Sequence, residues 1–185
     1  MKSGMMIAAT TLALAVAGCH DKIDTANNAT AEAARQPSLR QALDGANGLG
    51  QTARLVKQAG LDRMFDGDAS YVLFAPTDAA IEALPAETRQ KLASPAGRPQ
   101  LLALLRQHIA PGFISRADID RALARKDGQV RLATMGSAPL TLRRQGDAIV
   151  IGSDTPTPRL TQQPIVARNG TIFPIDHVLP PSKAR

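Results

Sequence analysis

The stretch YVLFAPTDAAIEALP, Tyr71 to Pro85, predicts a strand that turns at a proline into a short helix. Val72 to Phe74 are branched or bulky apolar residues, which suit a covered strand. Pro76 ends the pairing because it lacks a backbone donor, and Thr77 or Asp78 can cap the following helix. The stretch holds no nucleophile beside a base and no glycine loop for a phosphate, so it predicts architecture without chemistry.

Helices account for most of the first half of the chain outside this corner. Apolar residues between Leu39 and Asp66 suit two or three short helices that break at glycines. Further helices are predicted over 86–93, 99–109 and 115–126. His108 falls on the inner face of the second of these.

Beyond Gly128 the apolar residues alternate with polar ones, which is typical of strands. Five short strands are expected, beginning at Val130, Leu140, Ile149, Ile165 and Ile172, and the last runs to Val178. Asn169-Gly170 is the strongest hairpin signal in the chain. Helices followed by antiparallel strands, with one early strand at Tyr71, predict an α+β domain whose helices pack over a compact sheet or sandwich.

The first 19 residues predict a targeting segment. Lys2 precedes an apolar stretch from Met5 to Ala17 that is too short to span a bilayer comfortably, and it ends in Val16-Ala17-Gly18-Cys19. Small residues before the chain's one cysteine resemble a bacterial lipobox. This resemblance implies cleavage after residue 18, acylation of Cys19 and a lipid-anchored mature chain.

Residues 20–38 have one isolated isoleucine and no apolar periodicity, so they predict a flexible tether. The expected organisation is a signal peptide over 1–18, a lipidated tether over 19–38, a folded domain over 39–181 and a tail over 182–185. His20 stands where inner-membrane retention in enteric bacteria calls for aspartate. This favours the outer membrane of a bacterial cell envelope, on its periplasmic or surface face.

The chain is mildly basic. It carries 22 Lys and Arg against 16 Asp and Glu, a net charge of +6, and loss of residues 1–18 with Lys2 leaves +5. This sign favours anionic neighbours such as phospholipid headgroups or acidic polysaccharides. One Tyr and four Phe, with no Trp, offer little surface for stacking bases, so nucleic acid is not expected as a partner.

Three blocks of sequence resemble the fasciclin-like (FAS1) domain family. FAPTDAAIEALP at 74–85 is similar to its first block, HIAPG at 108–112 to its central histidine segment, and NGTIFPIDHVLPP at 169–181 to its closing block. Thr134 and Gly136 fall where the strand block between them has such residues. The resemblance implies a compact β-sandwich wedge with helices packed along it, which serves as an extracellular adhesion or interaction module without catalytic residues.

Two departures separate the chain from animal members of that family. Gln107 stands where many have a tyrosine before the histidine, and Pro164 lies where some receptor motifs have an aspartate. Both argue against carrying animal receptor binding over to this chain.

The polar residues of the three blocks are expected to be structural. His108 is most simply a core imidazole that is hydrogen-bonded to a backbone carbonyl or to the Thr77-Asp78 corner. Asp176 is expected to hold a turn or to cap a neighbouring backbone segment. Asp176 and His177, as neighbours in a strand, should point to opposite faces. The sequence has neither clustered metal ligands nor a serine elbow, so we expect no metal, no cofactor and no enzymatic activity.

Two functions remain. The first is a membrane-anchored extracytoplasmic module that binds an envelope or matrix protein or polysaccharide. Its candidate binding face is basic and consists of Arg116, Arg121, Arg125 and Lys126, with Arg143-Arg144 as a further basic pair. The alternative is a carrier of an apolar small molecule such as a lipid or, as in some algal members of the family, a carotenoid. It ranks second because few aromatic residues are available to line a pocket.

Overall fold

Strand β1 (Tyr71–Pro76) lies inside the larger of two sheets, with a strand on each side. It pairs antiparallel with β2 (Ile109–Pro111) and parallel with β7 (Gly170–Ile175), and β6 (Ile165–Ala167) adds an antiparallel edge to β7. Every residue of β1 after its first is buried. The predicted covered strand is therefore present and ends at its proline.

The computed structural model describes residues 36–125, 127–152 and 156–180, all within one compact unit, Arg35–Arg185. The predicted signal peptide, Cys19, most of the tether, Lys126 and the tail lie outside the described residues. None of the described helices is both long enough and apolar enough to cross a membrane.

A second sheet consists of three antiparallel strands, β3 (Gln129–Leu132), β4 (Leu140–Gln145) and β5 (Ala148–Ile151), in that order. A short segment at 158–160 joins this sheet to the first one. Its Arg159 bridges Val150 of β5, and its Leu160 bridges Ile175 of β7.

The helices lie mainly before and between the strands of the first sheet. Within the described residues they are α1 (Leu39–Asp44), α2 (Gly50–Ala59), α3 (Asp78–Glu82), α4 (Ala86–Ala93), α5 (Arg98–Gln107) and α6 (Arg116–Leu123), with 3-10 turns at Asp62–Phe65 and Pro95–Gly97. Ser38 forms a capping box with Gln41 at the start of α1 and is buried. The fold thus includes Ser38, which the sequence places at the end of the tether.

The two faces of the first sheet bury separate apolar clusters because side chains alternate along its strands. Leu73 and Ile172 face a cluster shared with helices α1, α2 and α5. Phe74 and Phe173, whose rings stack with centroids 5.7 Å apart, face a cluster shared with α6 and the second sheet. Helices, first sheet and second sheet therefore form successive layers, which confirms the predicted α+β sandwich with helices packed along it.

The predicted ends of three elements differ from the structure. Ile109 begins β2 instead of ending α5, α6 ends at Leu123 instead of near Lys126, and β7 ends at Ile175 instead of Val178. The first difference has a clear cause: Ile109 continues the apolar spacing of the helix but pairs with Leu73 of β1. A strand of three residues leaves no alternation to detect.

Candidate binding surface

Helix α6 carries the predicted basic face, but its arginines are paired with carboxylates. Arg116 Nε lies 3.0 Å from Asp120 Oδ2, and Arg121 Nη2 contacts Asp118 Oδ1. Arg144 reaches from β4 to Asp120 Oδ1 at 2.6 Å. The contacts form two separate groups, Arg116 and Arg144 with Asp120 and Arg121 with Asp118, and the two carboxylates compensate most of the charge of the three arginines.

Asp118 stays ionised over the neutral pH range. Hydrogen bonds from the Ser115 hydroxyl and backbone, and then from Arg121, lower the pKa of Asp118 to about 2. Ser115 and Asp118 are also the two members of the capping box that begins α6. Arg125 is exposed just beyond the helix, and Lys126 lies outside the described residues.

The Thr77-Asp78 corner joins β1 to two helices. Thr77 Oγ1 accepts a hydrogen bond from Ala80 N at 3.2 Å and caps α3. Asp78 Oδ1 accepts one from Gln51 N at 2.7 Å, at the N-terminus of α2. Leu49, the residue before α2, forms no side-chain hydrogen bond that caps the helix. Asp78, 27 residues further along the chain than Gln51, provides the acceptor for the first turn.

His108 is fully buried and bonds to two backbone groups. Its Nδ1 lies 2.8 Å from Leu104 O, and its Nε2 accepts a hydrogen bond from Leu179 N at 3.0 Å. Because the carbonyl can only accept and the amide can only donate, the ring carries its proton on Nδ1. Burial lowers the pKa of His108 to about 4, against a smaller opposing effect of the Leu104 hydrogen bond, so the ring is neutral at pH 7. Of the two partners considered from the sequence, the structure shows the backbone carbonyl.

Asp176 bonds to the backbone of the segment that joins the sheets. Its Oδ1 accepts a hydrogen bond from Arg159 N at 2.7 Å, and its own N donates to Arg159 O at 3.1 Å. The prediction that Asp176 and His177 point to opposite faces is wrong. Their side chains meet, with His177 Nδ1 2.9 Å from Asp176 Oδ1 though not in hydrogen-bond geometry. The alternation of a strand does not apply to them because the chain bends after Ile175.

Asn169 holds three segments together, a role that sequence reasoning missed. Its Oδ1 accepts a hydrogen bond from Leu39 N at 2.7 Å, and its Nδ2 donates to Phe65 O at 3.0 Å and to Gly67 O at 2.7 Å. The following glycine also has a structural cause, since a Cβ at Gly170 would overlap the carbonyl oxygen of Tyr71. The Asn-Gly pair signalled a hairpin, but nothing in the sequence indicated partners so far away in the chain.

Gln107, the residue that departs from the family pattern, is buried against the loop between β3 and β4. Its Nε2 donates to Ala138 O at 2.9 Å, the same carbonyl that accepts from Thr134 Oγ1 at 2.8 Å. A Cβ at Gly136 would overlap Gln107 Oε1, so a larger residue there would have to displace the Gln107 side chain. Gln107 therefore attaches the loop to the end of α5.

The side chains singled out by the sequence do not converge on one site. Asp78, His108 and Asp176 each bond to a different backbone segment. Among the described residues, no group of three or more His, Cys, Asp or Glu side chains is placed to hold a metal ion. What these residues do chemically is to satisfy buried or terminal backbone groups.

Comparison with known proteins agrees with this architecture. A family model described as the Fasciclin domain matches residues 47–181. The fold is also similar to a solved FAS1 domain pair from the insect cell adhesion molecule fasciclin I, with a TM-score of 0.59 and 17% identity over 77% of this chain and 50% of that one.

Two relatives share sequence with the same part of the chain. The chain is 30% identical over 131 residues to transforming growth factor-beta-induced protein ig-h3 of Sus scrofa, which covers 70% of this chain and 17% of that protein. It is 29% identical over 126 residues to protein sll1483 of Synechocystis sp., which covers 68% of this chain and 63% of that protein. The match thus spans less than two thirds of each relative.

Proposed function

The chain belongs to the fasciclin domain family, and on that premise we propose that it is a membrane-anchored interaction module that binds an envelope or matrix protein or polysaccharide. The family match over residues 47–181 carries the proposal, since the family is a non-enzymatic, adhesion-type domain. Fold similarity to a domain pair from an insect cell adhesion molecule supports the same class of function.

The hydrogen bonds of the polar motif residues support a function in binding a partner and not in catalysing a reaction. A general base needs an atom that can take up a proton from a substrate. His108 uses both ring nitrogens on backbone groups, Asp78 accepts from Gln51 N, and Asp176 accepts from Arg159 N. These contacts stabilise the fold, and we infer that the chain is not an enzyme.

The anchoring part of the proposal rests on the sequence. The lipobox-like Val16–Cys19 supports acylation of Cys19, and His20 favours the outer membrane of a bacterial envelope. Because Pro37 and Ser38 are bonded to the fold, the flexible tether would be the seventeen residues 20–36, with a root-mean-square reach of roughly 23 Å. The domain would then stand clear of the lipid headgroups and reach partners at the surface.

The carrier of an apolar small molecule stays the alternative. Purified protein that is coloured, or that releases a lipid on solvent extraction, would favour it over the interaction module.

A crosslinking experiment tests the interaction module. Phe113 and Val166 are large apolar residues that are each 49% exposed, so a photo-reactive side chain can replace either without entering the core. Introduced into the full chain in its native envelope, the crosslinker should capture one or a few components reproducibly. Capture of none at either position, together with turnover of a substrate by the purified chain, would contradict the proposal.

A further inference from the structure

Three arginines lie on the outer face of the second sheet. Arg131 is on β3, Arg143 is on β4, and Arg159 bridges Val150 of β5. The register sets Gln129 opposite Arg143, Arg143 opposite Val150, and Val150 opposite Arg159. Directly opposed residues of neighbouring strands point to the same face, so these four side chains line up across the sheet. Arg131 is opposite Thr141, on the same face and two residues along β3 from Gln129, and this pair and the four aligned residues together form the row.

This face is the one turned away from the core. Leu140 and Leu142 of β4 are buried in the cluster between the two sheets, whereas Arg143, one position on, lies on the opposite face. In β3, Val130 and Leu132 pack against the same cluster. Arg131 stands between them, points the other way and is exposed.

The arginines of this row are not paired with carboxylates in the way that the arginines of α6 are. None of the ion pairs within the described residues includes Arg131, Arg143 or Arg159. Arg143 Nη2 donates to Gly152 O at 2.6 Å, and the Asp176 carboxylate accepts from the backbone of Arg159. Arg143 and Arg144 are neighbours in β4 and therefore point to opposite faces of the sheet. Arg143 belongs to this row, and Arg144 contacts Asp120.

The dimensions and composition of the row indicate what it fits. Neighbouring strands are about 4.8 Å apart, and β5 lies between Arg143 and Arg159, so the backbones of these two residues are about 10 Å apart across the sheet. Gln129 and Thr141 lie on the same face and provide an amide and a hydroxyl. Val150 is only 3% exposed, and the large apolar residues that are exposed, Phe113, Met135 and Val166, lie outside the row. A surface that inserts into a bilayer presents apolar side chains, so a hydroxylated polyanion fits this face better than a lipid surface does.

We propose that the outer face of the second sheet, formed by Arg131, Arg143 and Arg159 with Gln129 and Thr141, binds an acidic polysaccharide. Guanidinium groups bind carboxylates through two parallel hydrogen bonds, and the amide and hydroxyl match sugar hydroxyls. The inference rests on the proposed function, for which it names the class of partner and the site. It places the polysaccharide on this face in preference to α6, where Arg116 and Arg121 are paired with carboxylates.

Binding of the full chain to polygalacturonate, with neutral dextran as the control polymer, tests this site. The sheet variant Arg131→Gln, Arg143→Gln, Arg159→Gln is compared with the helix variant Arg116→Gln, Arg121→Gln, Arg125→Gln, which loses the same charge. Three lost surface contacts should weaken binding by the sheet variant on the order of tenfold and flatten its salt dependence. The helix variant should stay within about twofold of the parent, and none of the three should bind dextran.

Several results would overturn the inference. Equal losses in both variants would make the effect one of net charge, and undiminished binding by the sheet variant would exclude the row. Arginine-dependent binding to vesicles of anionic phospholipid without binding to polygalacturonate would replace the polysaccharide by a membrane. If the sheet variant does not fold, the double variant Arg131→Gln, Arg159→Gln keeps the Gly152 hydrogen bond and serves instead. If the parent and both variants are retained equally on envelope material, this site is overturned but the proposed function is not. If the parent itself is not retained, the proposed function is overturned.

Discussion

The backbone amide of Leu179 donates a hydrogen bond to Nε2 of His108 over 3.0 Å, across 71 residues of sequence. The bond ties the C-terminal segment of the described chain to the end of α5. The same imidazole satisfies Leu104 O through its other nitrogen. Both bonds together require the neutral ring, so protonation of His108 is linked to the stability of the fold.

Stability should therefore decrease as the pH falls from 6.5 towards 4. The pKa of His108 is about 4 in the folded chain against 6.5 for the free group. Between these values the unfolded state binds a proton that the folded state does not, so this contribution is fully present above pH 6.5 and is lost on acidification. The loss amounts to about 3 kcal/mol at most. Urea unfolding at a series of pH values measures it.

A variant pair isolates this effect. His108→Ala removes the partner of two buried backbone groups and should cost about 1–3 kcal/mol at pH 7. Its stability should change less than that of the parent between pH 6.5 and 4. Asn47→Ala, at an exposed position without a titratable group, should keep the pH dependence of the parent. The same slope in the parent and in His108→Ala would show that another group titrates.

Asn169 is expected to be the polar residue whose replacement costs most. Asn169→Ala leaves Leu39 N without its acceptor and should lower the free energy of unfolding by about 1–3 kcal/mol. Asn169→Asp should cost more, because a carboxylate would face the carbonyl oxygens of Phe65 and Gly67 at a position that is 3% exposed. Asn47→Ala, at an exposed position, is the control for urea unfolding. An Asp variant more stable than the Ala variant would argue against this arrangement.

Asp78 caps a helix to which it is not adjacent in sequence. Asp78→Ala should destabilise the fold by about 0.5–2 kcal/mol, the usual cost of a lost cap. Asp78→Asn should cost less because an amide oxygen can still accept from Gln51 N. Thermal melts of both variants beside Asp68→Ala, a change at a fully exposed side chain, provide the comparison. Identical melting temperatures for Asp78→Ala and Asp68→Ala would exclude a capping role.

Local signals made much of the fold predictable from the sequence. Pro76 ends β1 because its ring removes a donor, and the Asn169-Gly170 pair marks the hairpin from β6 to β7, where Arg168 and Asn169 form the turn and Gly170 begins β7. The capping box at Ser115 likewise marks the start of α6. Each of these features depends on residues within a few positions of one another.

Features that depend on distant contacts were not predictable in this way. The parallel pairing of β1 with β7 joins segments that are far apart in the chain, and nothing within either strand specifies the partner. Arginines at helical spacing predict a basic face on α6, whereas the pairing of Asp120 with Arg144 of β4 depends on the folded chain. Arg131, Arg143 and Arg159 are brought together by register alone.

Membrane anchoring should depend on Cys19. Each methylene of an acyl chain favours the membrane by about 0.8 kcal/mol, so a chain without acylation loses that attachment. Cys19→Ser should move the protein to the soluble fraction or leave an unprocessed precursor, and it should abolish incorporation of labelled fatty acid. A Cys19→Ser chain that keeps both its membrane fraction and its label would refute lipidation at this residue.

Equilibrium binding of the purified Cys19→Ser chain to isolated envelope material tests the central claim most directly, because it separates contact by the folded domain from attachment through a lipid. We predict saturable binding that weakens as added salt shortens the Debye length towards a few ångström near 1 M. Denaturation of the chain should abolish this binding. Binding that never saturates, or that is the same for the folded and the denatured chain, would contradict a function exerted through the folded surface.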